Sequence, residues 1–372
     1  MPAEVDIILP AYNAEATLLV AVTSVLSQTN GNLRVIVIDD GSTDCTADIV
    51  RDVARTDARV HLEQKENGGI VSALNAGLAL CSAEYVARMD ADDICEPDRF
   101  EKQIACLRKA PDIVALSGAH TEIDGQGVPT GRVHRPPQEA TADFLWAPAQ
   151  EPKLTHPFLF VRRASLEQVA GYRAFHNAED ADLYWRLAEL GRLANLPDVI
   201  GKYRMHAASI SSASIRNGRT MAVFSQLAAL SAQRRAGGKP DLSFDHAQAT
   251  AWRASESLEA MTGSALADLN LTDEEARWLR LAVAAKLMEL AGYRPYEVTH
   301  EDCCFMAEAF AAPVTLPDGN LRELAKMRAA TAARLLRLGR MGEAMRLAGP
   351  VLWPEVAARA AMGRLYWKKH MA

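Results

Sequence analysis

The chain has 372 residues, 49% of them hydrophobic and 24% charged, as expected of a globular protein with a substantial core. This length suits about two domains, and the net charge of −6 argues against a broad nucleic-acid-binding surface. The sequence has no apolar run near the ~20 residues that span a bilayer and no basic signal-peptide region at its start. Six cysteines, none in a C-x-x-C pair, indicate reduced thiols, so we expect a cytoplasmic protein.

The first 120 residues alternate between short apolar runs and segments with helical periodicity. The apolar runs predict strands at residues 5–10, 34–38, 59–63, 85–89 and 113–116. The segments after the first four runs predict helices, one of them at residues 70–80 and one opened by Pro97. This alternation predicts an α/β fold with a doubly wound, mostly parallel, Rossmann-like sheet and right-handed connections.

Three of the predicted strands end in polar residues, at positions 12–13, 39–40 and 90–93. Because the carboxyl ends of parallel strands share one edge of a sheet, these residues are expected to line a ligand crevice. Carboxylates such as Asp90, Asp92 and Asp93 are hard oxygen ligands, which indicate a divalent cation and, with it, a phosphate. A solvated acidic turn is the alternative interpretation. The absence of a G-x-G-x-x-G or G-K-S/T motif disfavours dinucleotide cofactors and ordinary NTP hydrolysis.

The middle of the chain carries a second acidic pair. Residues 136–153 contain four prolines and predict either an acceptor-side loop or an irregular surface connection. A strand is predicted at 155–163 and a short helix from 164 to 169. Glu179 and Asp180 begin a further helix, where two acids also suit the helix dipole without any catalytic role.

The second half is rich in Ala, Leu, Arg, Glu and Met, and strand patterns almost disappear. Helices are predicted at 220–235, 246–261, 273–290, 321–338, 341–347 and 354–367. We therefore predict two domains, an α/β domain at 1–215 and a bundle of five or six helices at 216–372. The basic, aromatic tail at 364–370 suits either an anionic membrane surface or an ordinary packed terminus.

Seven motifs resemble, in order, those of family 2 glycosyltransferases with the GT-A fold. They are IILPAYN at 7–13, VIDDGSTD at 37–44, NGG at 67–69, MDADD at 89–93, HP at 156–157, GY at 171–172 and NAED at 177–180. The resemblance covers roughly residues 4–212. It implies an inverting, metal-dependent transfer of a sugar from a nucleoside-diphosphate sugar, with UDP as the expected nucleotide, to an acceptor hydroxyl.

The resemblance also assigns roles to residues. Asp180 would be the general base, with Glu179 positioning the acceptor or tuning Asp180, and Asp182 is a second choice for the base. Asp92 would bind Mg²⁺ or Mn²⁺, and Asp93 would cap the following helix or contact the metal. The remaining residues are expected to bind the nucleotide. Asp39 would contact the base, Asp90 and Ala91 the ribose or a metal-bound water, and Arg204 and His206 the pyrophosphate, with His206 also a candidate metal ligand. The residues expected to surround the nucleoside are Pro10, Ala11, Tyr12, Asn13 and Asn67.

The expected partners are a nucleotide-sugar donor and a carbohydrate, lipid-linked or protein acceptor, in bacterial polysaccharide or glycoconjugate assembly. The alternative function is a nucleotide-sugar binding module whose helical half recruits partners and which catalyses little. The Glu179–Asp180 pair argues against that alternative. A sugar nucleotidyltransferase would need a glycine-rich, basic N-terminal loop, which residues 10–13 do not provide.

Overall fold

The computed structural model describes residues 3–205, 214–294 and 296–370, with side chains as far as residue 362. The chain divides into two compact units. The first consists of Met1–Ala142, Pro152–Arg173 and Glu179–His206, and the second of Asp143–Glu151, Ala174–Ala178 and Ala207–Ala372. The domain boundary near residue 215 stays a prediction, since both units are assembled from separate stretches of chain.

The first unit opens with the predicted alternation. Its parallel strands lie in the order β3-β2-β1-β4, with bounds β1 Val5–Ala11, β2 Leu33–Asp39, β3 Val60–Gln64 and β4 Tyr85–Arg88. The helices between them are α1 Leu18–Leu26, α2 Thr46–Thr56 and α3 Gly69–Leu80. All seven residues of β1 are buried, because helices cover a central parallel strand on both faces.

The sheet continues beyond β4 through strands of mixed direction. The order is β4-β8-β6-β9-β5, with β7 paired to β6. The bounds are β5 Ile94–Cys95, α4 Arg99–Lys109, β6 Ile113–Ile123, β7 Pro129–His134, β8 Phe160–Arg162, α5 Arg163–Gln168, α6 Glu179–Ala188 and β9 Arg192–Arg204. β8 runs antiparallel to both β4 and β6, whereas β6 and β9 are parallel. The predicted fold class is confirmed, with antiparallel strands added at one side.

Two predicted strands differ from the observed ones. The run at 155–163 is a short 3-10 helix, His156–Phe158, followed by the three-residue β8. Pro157 explains the helical turn, since proline favours the first turn of a helix and cannot donate to a sheet ladder. The β-rich run at 199–203 also predicts a strand, and the structure shows it as the end of the 13-residue β9, whose first half lacks a clean alternating pattern.

The second unit contains the C-terminal helices. They are α7 Ile215–Ala236, α8 His246–Ala254, α9 Leu258–Asp268, α10 Asp273–Tyr293, α11 His300–Ala311, α12 Asn320–Arg337 and α13 Met341–His370, the last kinked at Gly349. The helix predicted at 246–261 is two helices, because Ser257 caps the start of α9. The sequence prediction missed α11, although Thr299 and Asp302 form a capping box at its start.

The proline-rich stretch at 143–151 belongs to the helical unit and is held there by side chains of three helices. Asn320 exchanges two hydrogen bonds with the backbone of Ala147, at 2.9 and 3.0 Å. Gln226 Oε1 accepts the backbone N–H of Ala149 at 2.9 Å, and Lys286 pairs with Glu151 at 3.1 Å. These contacts fix the backbone of a stretch that has little secondary structure of its own.

Candidate active site

The turn after β1 is tied to the turn after β2. Asn13 has a positive φ of 49°, a conformation that asparagine tolerates better than most residues. Its backbone N–H donates to Ser42 Oγ at 2.9 Å, and its Oδ1 accepts the backbone N–H of Thr43 at 2.9 Å. Tyr12, just before it, is 55% exposed. The two turns therefore form one stable rim with an exposed aromatic ring.

The two acids at the end of β2 have different surroundings. Asp39 accepts the backbone N–H of Ser42 at 3.0 Å and Gln64 Nε2 at 2.9 Å. Asp40 accepts Lys65 Nζ at 2.7 Å and the backbone N–H groups of Gly68 and Gly69, at 3.0 and 2.8 Å. Asp40 thus binds the first amides of α3, where a carboxylate is favoured by the helix dipole.

Asn67 lies on this same rim. It is exposed, and a Cβ at Gly41 would lie 2.8 Å from its backbone nitrogen. Gly41 also has a φ of +77°, so a glycine is needed there for two separate reasons. The close approach brings Asn67 next to the end of β2.

Asp90, Asp92 and Asp93 lie together after β4. Each offers a carboxylate oxygen, and these oxygens all lie within 4.8 Å of one another. Asp93 is 1% exposed and its Oδ2 has no hydrogen-bond partner among the described residues. Burial and the charges of Asp90 and Asp92 raise the pKa of Asp93 well above its usual range. A buried carboxylate oxygen without a donor fits a divalent cation, as do three hard oxygen ligands.

Arg204, the last residue of β9, donates hydrogen bonds to two of these acidic residues. Its backbone N–H donates to Asp93 Oδ1 at 2.8 Å, and its Nε donates to the carbonyl of Asp92 at 2.7 Å. Its Nη1 donates to the carbonyls of Asp124 and Gly125, at 3.1 and 3.2 Å. Any contact with a pyrophosphate is therefore left to Nη2.

The prediction that Asp93 caps the following helix is wrong. The α4 helix begins at Arg99, with Asp98 at the N-cap position, and Asp93 is instead engaged by Arg204. Ala91 lies buried between the acids. His206 lies outside the described residues.

Glu179 and Asp180 occupy the first turn of α6. Asp180 Oδ1 accepts the backbone N–H of Ala181 at 2.8 Å. Burial, the charge of Asp180 and that of Asp90 raise the pKa of Glu179 to about 7. Val86 of β4 and Tyr184 of α6 belong to the same buried cluster, so α6 and β4 pack in the same part of the first unit.

Asp182, the alternative base, is excluded by its surroundings. It is completely buried. Arg173 Nε and Arg186 Nη2 donate to its carboxylate at 3.0 and 2.6 Å. A fully buried carboxylate held by two guanidinium groups cannot reach an acceptor hydroxyl, so its role is to fix the start of α6.

Sequence reasoning assigned no role to four polar residues between the two acidic groups. His156 Nε2 and the Tyr172 hydroxyl lie 3.0 Å apart, and burial with the nearby charge of Arg88 lowers the pKa of His156 well below its usual range. Burial raises the pKa of Tyr184. Arg88 is paired with Asp90. Only the HP and GY motifs pointed to part of this group.

Comparison with known proteins matches the first half of the chain to one family. Residues 6–170 match the family model described as glycosyl transferase family 2. An uncharacterized glycosyltransferase of Haemophilus influenzae is 33% identical over 224 residues, which is 56% of this chain and 67% of that protein. The putative glycosyltransferase EpsE of Bacillus subtilis is 31% identical over 207 residues, 54% of this chain and 73% of that protein. The chondroitin synthase of Escherichia coli is 29% identical, and the match spans only 30% of its length.

A solved structure shares the architecture. TarS 1-349 of S. aureus, in complex with UDP-GlcNAc, has a TM-score of 0.51 at 14% identity and covers 97% of this chain and 92% of that one. This likeness shows the fold alone. The mostly parallel sheet with its added antiparallel strands thus has the GT-A fold.

The chain belongs to glycosyl transferase family 2. Within the part of the chain that the structure describes, no helix combines the length and apolar character needed to cross a membrane.

Proposed function

We propose that this glycosyltransferase moves a sugar from a nucleoside-diphosphate sugar to an acceptor hydroxyl, with inversion at the anomeric carbon. The observation that carries the proposal is the pair of acidic groups in the first unit, Glu179 and Asp180 in the first turn of α6 and the three carboxylates after β4. The elements that carry them pack into one buried cluster through Tyr184 and Val86. A transfer needs a base on the acceptor side and charge neutralisation on the leaving-group side, and the two acidic groups suit these two tasks.

Asp180 is the proposed general base. In an inverting reaction one carboxylate takes the proton of the attacking hydroxyl as the new bond forms at the anomeric carbon. Glu179 would place the acceptor and raise the proton affinity of Asp180 through like-charge proximity.

On the donor side, Asp92 is the proposed ligand for Mg²⁺ or Mn²⁺, and Asp93 and His206 are further candidates. When bound, the cation would neutralise the charge that develops on the departing nucleoside diphosphate. Among the described residues, the buried Oδ2 of Asp93 has no hydrogen-bond partner. This oxygen and the grouping of three carboxylates within 4.8 Å support a cation at this position.

The nucleotide is proposed to lie along the rim formed by the β1 and β2 turns. Asp39 would accept a ring N–H of the base, and Pro10, Ala11, Tyr12, Asn13 and Asn67 would frame the nucleoside. Asp90 and Ala91 would contact the ribose or a metal-bound water, and Arg204 the pyrophosphate through Nη2. UDP is the proposed nucleotide, and the UDP-GlcNAc in the S. aureus TarS structure makes UDP-sugars the first donors to test.

The proposed setting is bacterial polysaccharide or glycoconjugate assembly, in line with named relatives such as the E. coli chondroitin synthase. The acceptor would be a carbohydrate, a lipid-linked sugar or a protein. The basic tail at 364–370 is proposed to contact the inner face of the membrane. The described side chains end before it, and vesicle co-sedimentation would test this contact.

The experiment that tests the reaction combines donor screening with one variant. Melting temperatures with UDP, GDP and their sugars, each with and without Mn²⁺, identify the nucleotide, because a ligand of the native state stabilises it. Asp180→Asn should then bind the nucleotide within about twofold of the wild type but lose transfer by about 10²–10⁴-fold. Normal turnover in this variant would overturn the base assignment.

A further inference from the structure

The turn between α12 and α13 exposes apolar side chains at one end of these two helices. Leu338, the C-cap residue of α12, is 52% exposed, and Met341 and Met345 at the start of α13 are 55% and 50% exposed. Met341 and Met345 are four residues apart, so they lie on one face of the helix. The Cα of Leu338 is within about 11 Å of that of Met341, because only three peptide units separate them. We call these three side chains the hairpin tip.

The charged residues around the hairpin tip are mainly arginines. Arg337 and Arg346 are exposed, and neither forms an ion pair within the part of the chain that the structure describes. The only acid between them in sequence is Glu343, and Arg340 pairs with it at 3.1 Å. Glu297, in the loop before α11, is also in an ion pair. The apolar side chains are therefore flanked by two guanidinium groups that are free to bind anions.

Hydrogen bonds to neighbouring segments of the helical unit hold the two helices in place. Arg328 Nη2 of α12 donates to the carbonyl of Leu347 in α13 at 2.8 Å. Arg340 Nη1, in the turn itself, donates to the carbonyl of Val298 at 2.6 Å. A surface that is already ordered loses little conformational entropy when it binds a partner. The hairpin tip is therefore preorganised for binding.

We propose that the hairpin tip binds the surface of an anionic lipid membrane. Its three apolar side chains would enter the boundary between headgroups and acyl chains, where they leave water. Arg337 and Arg346 would bind lipid phosphates, to which a guanidinium group donates paired hydrogen bonds. This inference rests on the membrane setting proposed above, but it uses a surface separate from the tail at 364–370.

A second copy of the chain is the alternative occupant of this surface, and the charges disfavour it. A symmetric dimer would bring the same surface of the two copies face to face. Arg337 and Arg346 of one copy would then meet the same arginines of the other. Like charges placed opposite each other in an interface oppose association, whereas an anionic membrane attracts both arginines.

The experiment sediments the full-length chain with two kinds of vesicle, phosphatidylcholine alone and phosphatidylcholine mixed with phosphatidylglycerol. Met341→Ser/Met345→Ser should weaken binding to the mixed vesicles by at least about tenfold, because two apolar side chains no longer leave water. Arg337→Gln/Arg346→Gln should weaken binding to the mixed vesicles by about 10–30-fold and should not change binding to phosphatidylcholine alone. Circular dichroism melts establish that each variant is folded, as expected for exposed positions.

Leu321→Ser is the matched control for the apolar substitutions. Leu321 is 68% exposed at the start of α12, about 25 Å along the helix axis from Leu338, so this variant should sediment like the wild type. Lys368→Gln/Lys369→Gln tests the tail separately. In that background, Met341→Ser/Met345→Ser should still weaken binding by at least about tenfold.

Three results would overturn the inference. Variants of the hairpin tip that sediment like the wild type, beside a tail variant that does not, would leave membrane contact to the tail alone. A wild-type chain that stays in solution with both kinds of vesicle would overturn both contacts. A dimer that forms without lipid in analytical ultracentrifugation, and that Met341→Ser/Met345→Ser dissociates, would assign the surface to a second copy. Sedimentation requires no turnover, so failure of the proposed transfer would leave this test unaffected.

Discussion

The backbone N–H of Arg204 donates to Oδ1 of Asp93 at 2.8 Å, across 111 residues of sequence. Both groups are buried. The bond joins the end of β9 to the acids after β4, and it uses the one Asp93 oxygen that has a described partner. Stability and the proposed ion binding are therefore linked at this carboxylate.

Asp93→Ala should destabilise the protein, because it leaves a buried backbone N–H without an acceptor. The expected loss is about 1–3 kcal/mol in the free energy of unfolding, measured by urea denaturation in metal-free buffer. Asp93→Asn keeps the Oδ1 acceptor and removes the charge. Since the folded protein raises the pKa of Asp93, its ionisation opposes folding at neutral pH. The asparagine variant should thus be at least as stable as the wild type at pH 8.

The pH dependence of transfer should report Glu179. Its pKa is raised to about 7 by burial and by Asp180. Below pH 7 it is protonated, and above pH 7 its charge raises the proton affinity of the neighbouring Asp180. The wild-type kcat/KM should rise through pH 7, and Glu179→Gln should flatten this rise. A variant profile that keeps the same inflection would assign it to another group.

His120 should make the protein sensitive to acid. Burial and nearby His134 lower its pKa from 6.5 to about 4, so the unfolded chain binds more protons than the folded chain between these values. Stability is complete above pH 6.5 and falls as the pH drops toward 4, by at most about 3 kcal/mol. His120→Phe should reduce that slope in unfolding measured from pH 7 to pH 4.5. An unchanged slope would mean that other histidines account for the acid sensitivity.

Asp40 should matter for both stability and nucleotide affinity. Asp40→Ala removes the acceptor for two amides at the start of α3, which is expected to lower stability by about 1–2 kcal/mol. It also releases the turn that carries Asn67, so KM for the donor should rise. Asp52→Ala is the control, because Asp52 is a surface acid paired with Arg55. This variant should change stability by less than about 0.5 kcal/mol.

Two glycines in helices should respond oppositely to alanine. A Cβ at Gly77 in α3 would lie 2.5 Å from Ile8 Cγ2, so Gly77→Ala should destabilise by about 1–3 kcal/mol through overpacking. A Cβ at Gly263 in α9 meets nothing within 4 Å. Gly263→Ala should stabilise by about 0.5–1 kcal/mol through helix propensity. Thermal melts of the two variants check both signs.

The parallel half of the sheet and the acids at its edge were predictable because each depends on a local pattern. An apolar run predicts a buried strand, and acidic residues directly after that run, here at positions 90–93, indicate a ligand-binding site. The group around Arg88, His156 and Tyr184 was not predictable in this way. Those residues meet because β8 inserts antiparallel beside β4, and neither β8 nor the long β9 has a strong pattern of its own.

The hydrogen bonds of Arg204 could not be predicted from the sequence either. The family resemblance implies that it contacts the pyrophosphate, but its guanidinium donates to the backbone carbonyls of Asp92, Asp124 and Gly125. No local rule reports which carbonyls a distant arginine will reach. Ser257 and Thr299 are capping residues that mark the starts of α9 and α11 in the sequence, whereas hydrophobic periodicity alone neither separates α8 from α9 nor indicates α11.

The helical unit includes two short segments encoded within the first half of the chain, 143–151 and 174–178. Phe175 packs against Phe244 with ring centroids 5.0 Å apart, and Ala147 is bonded to Asn320. A recombination event that replaced everything after residue 215 would therefore separate these residues from the partners with which they were selected. Genes of this type should exchange their 3′ halves successfully only when both upstream segments change with them.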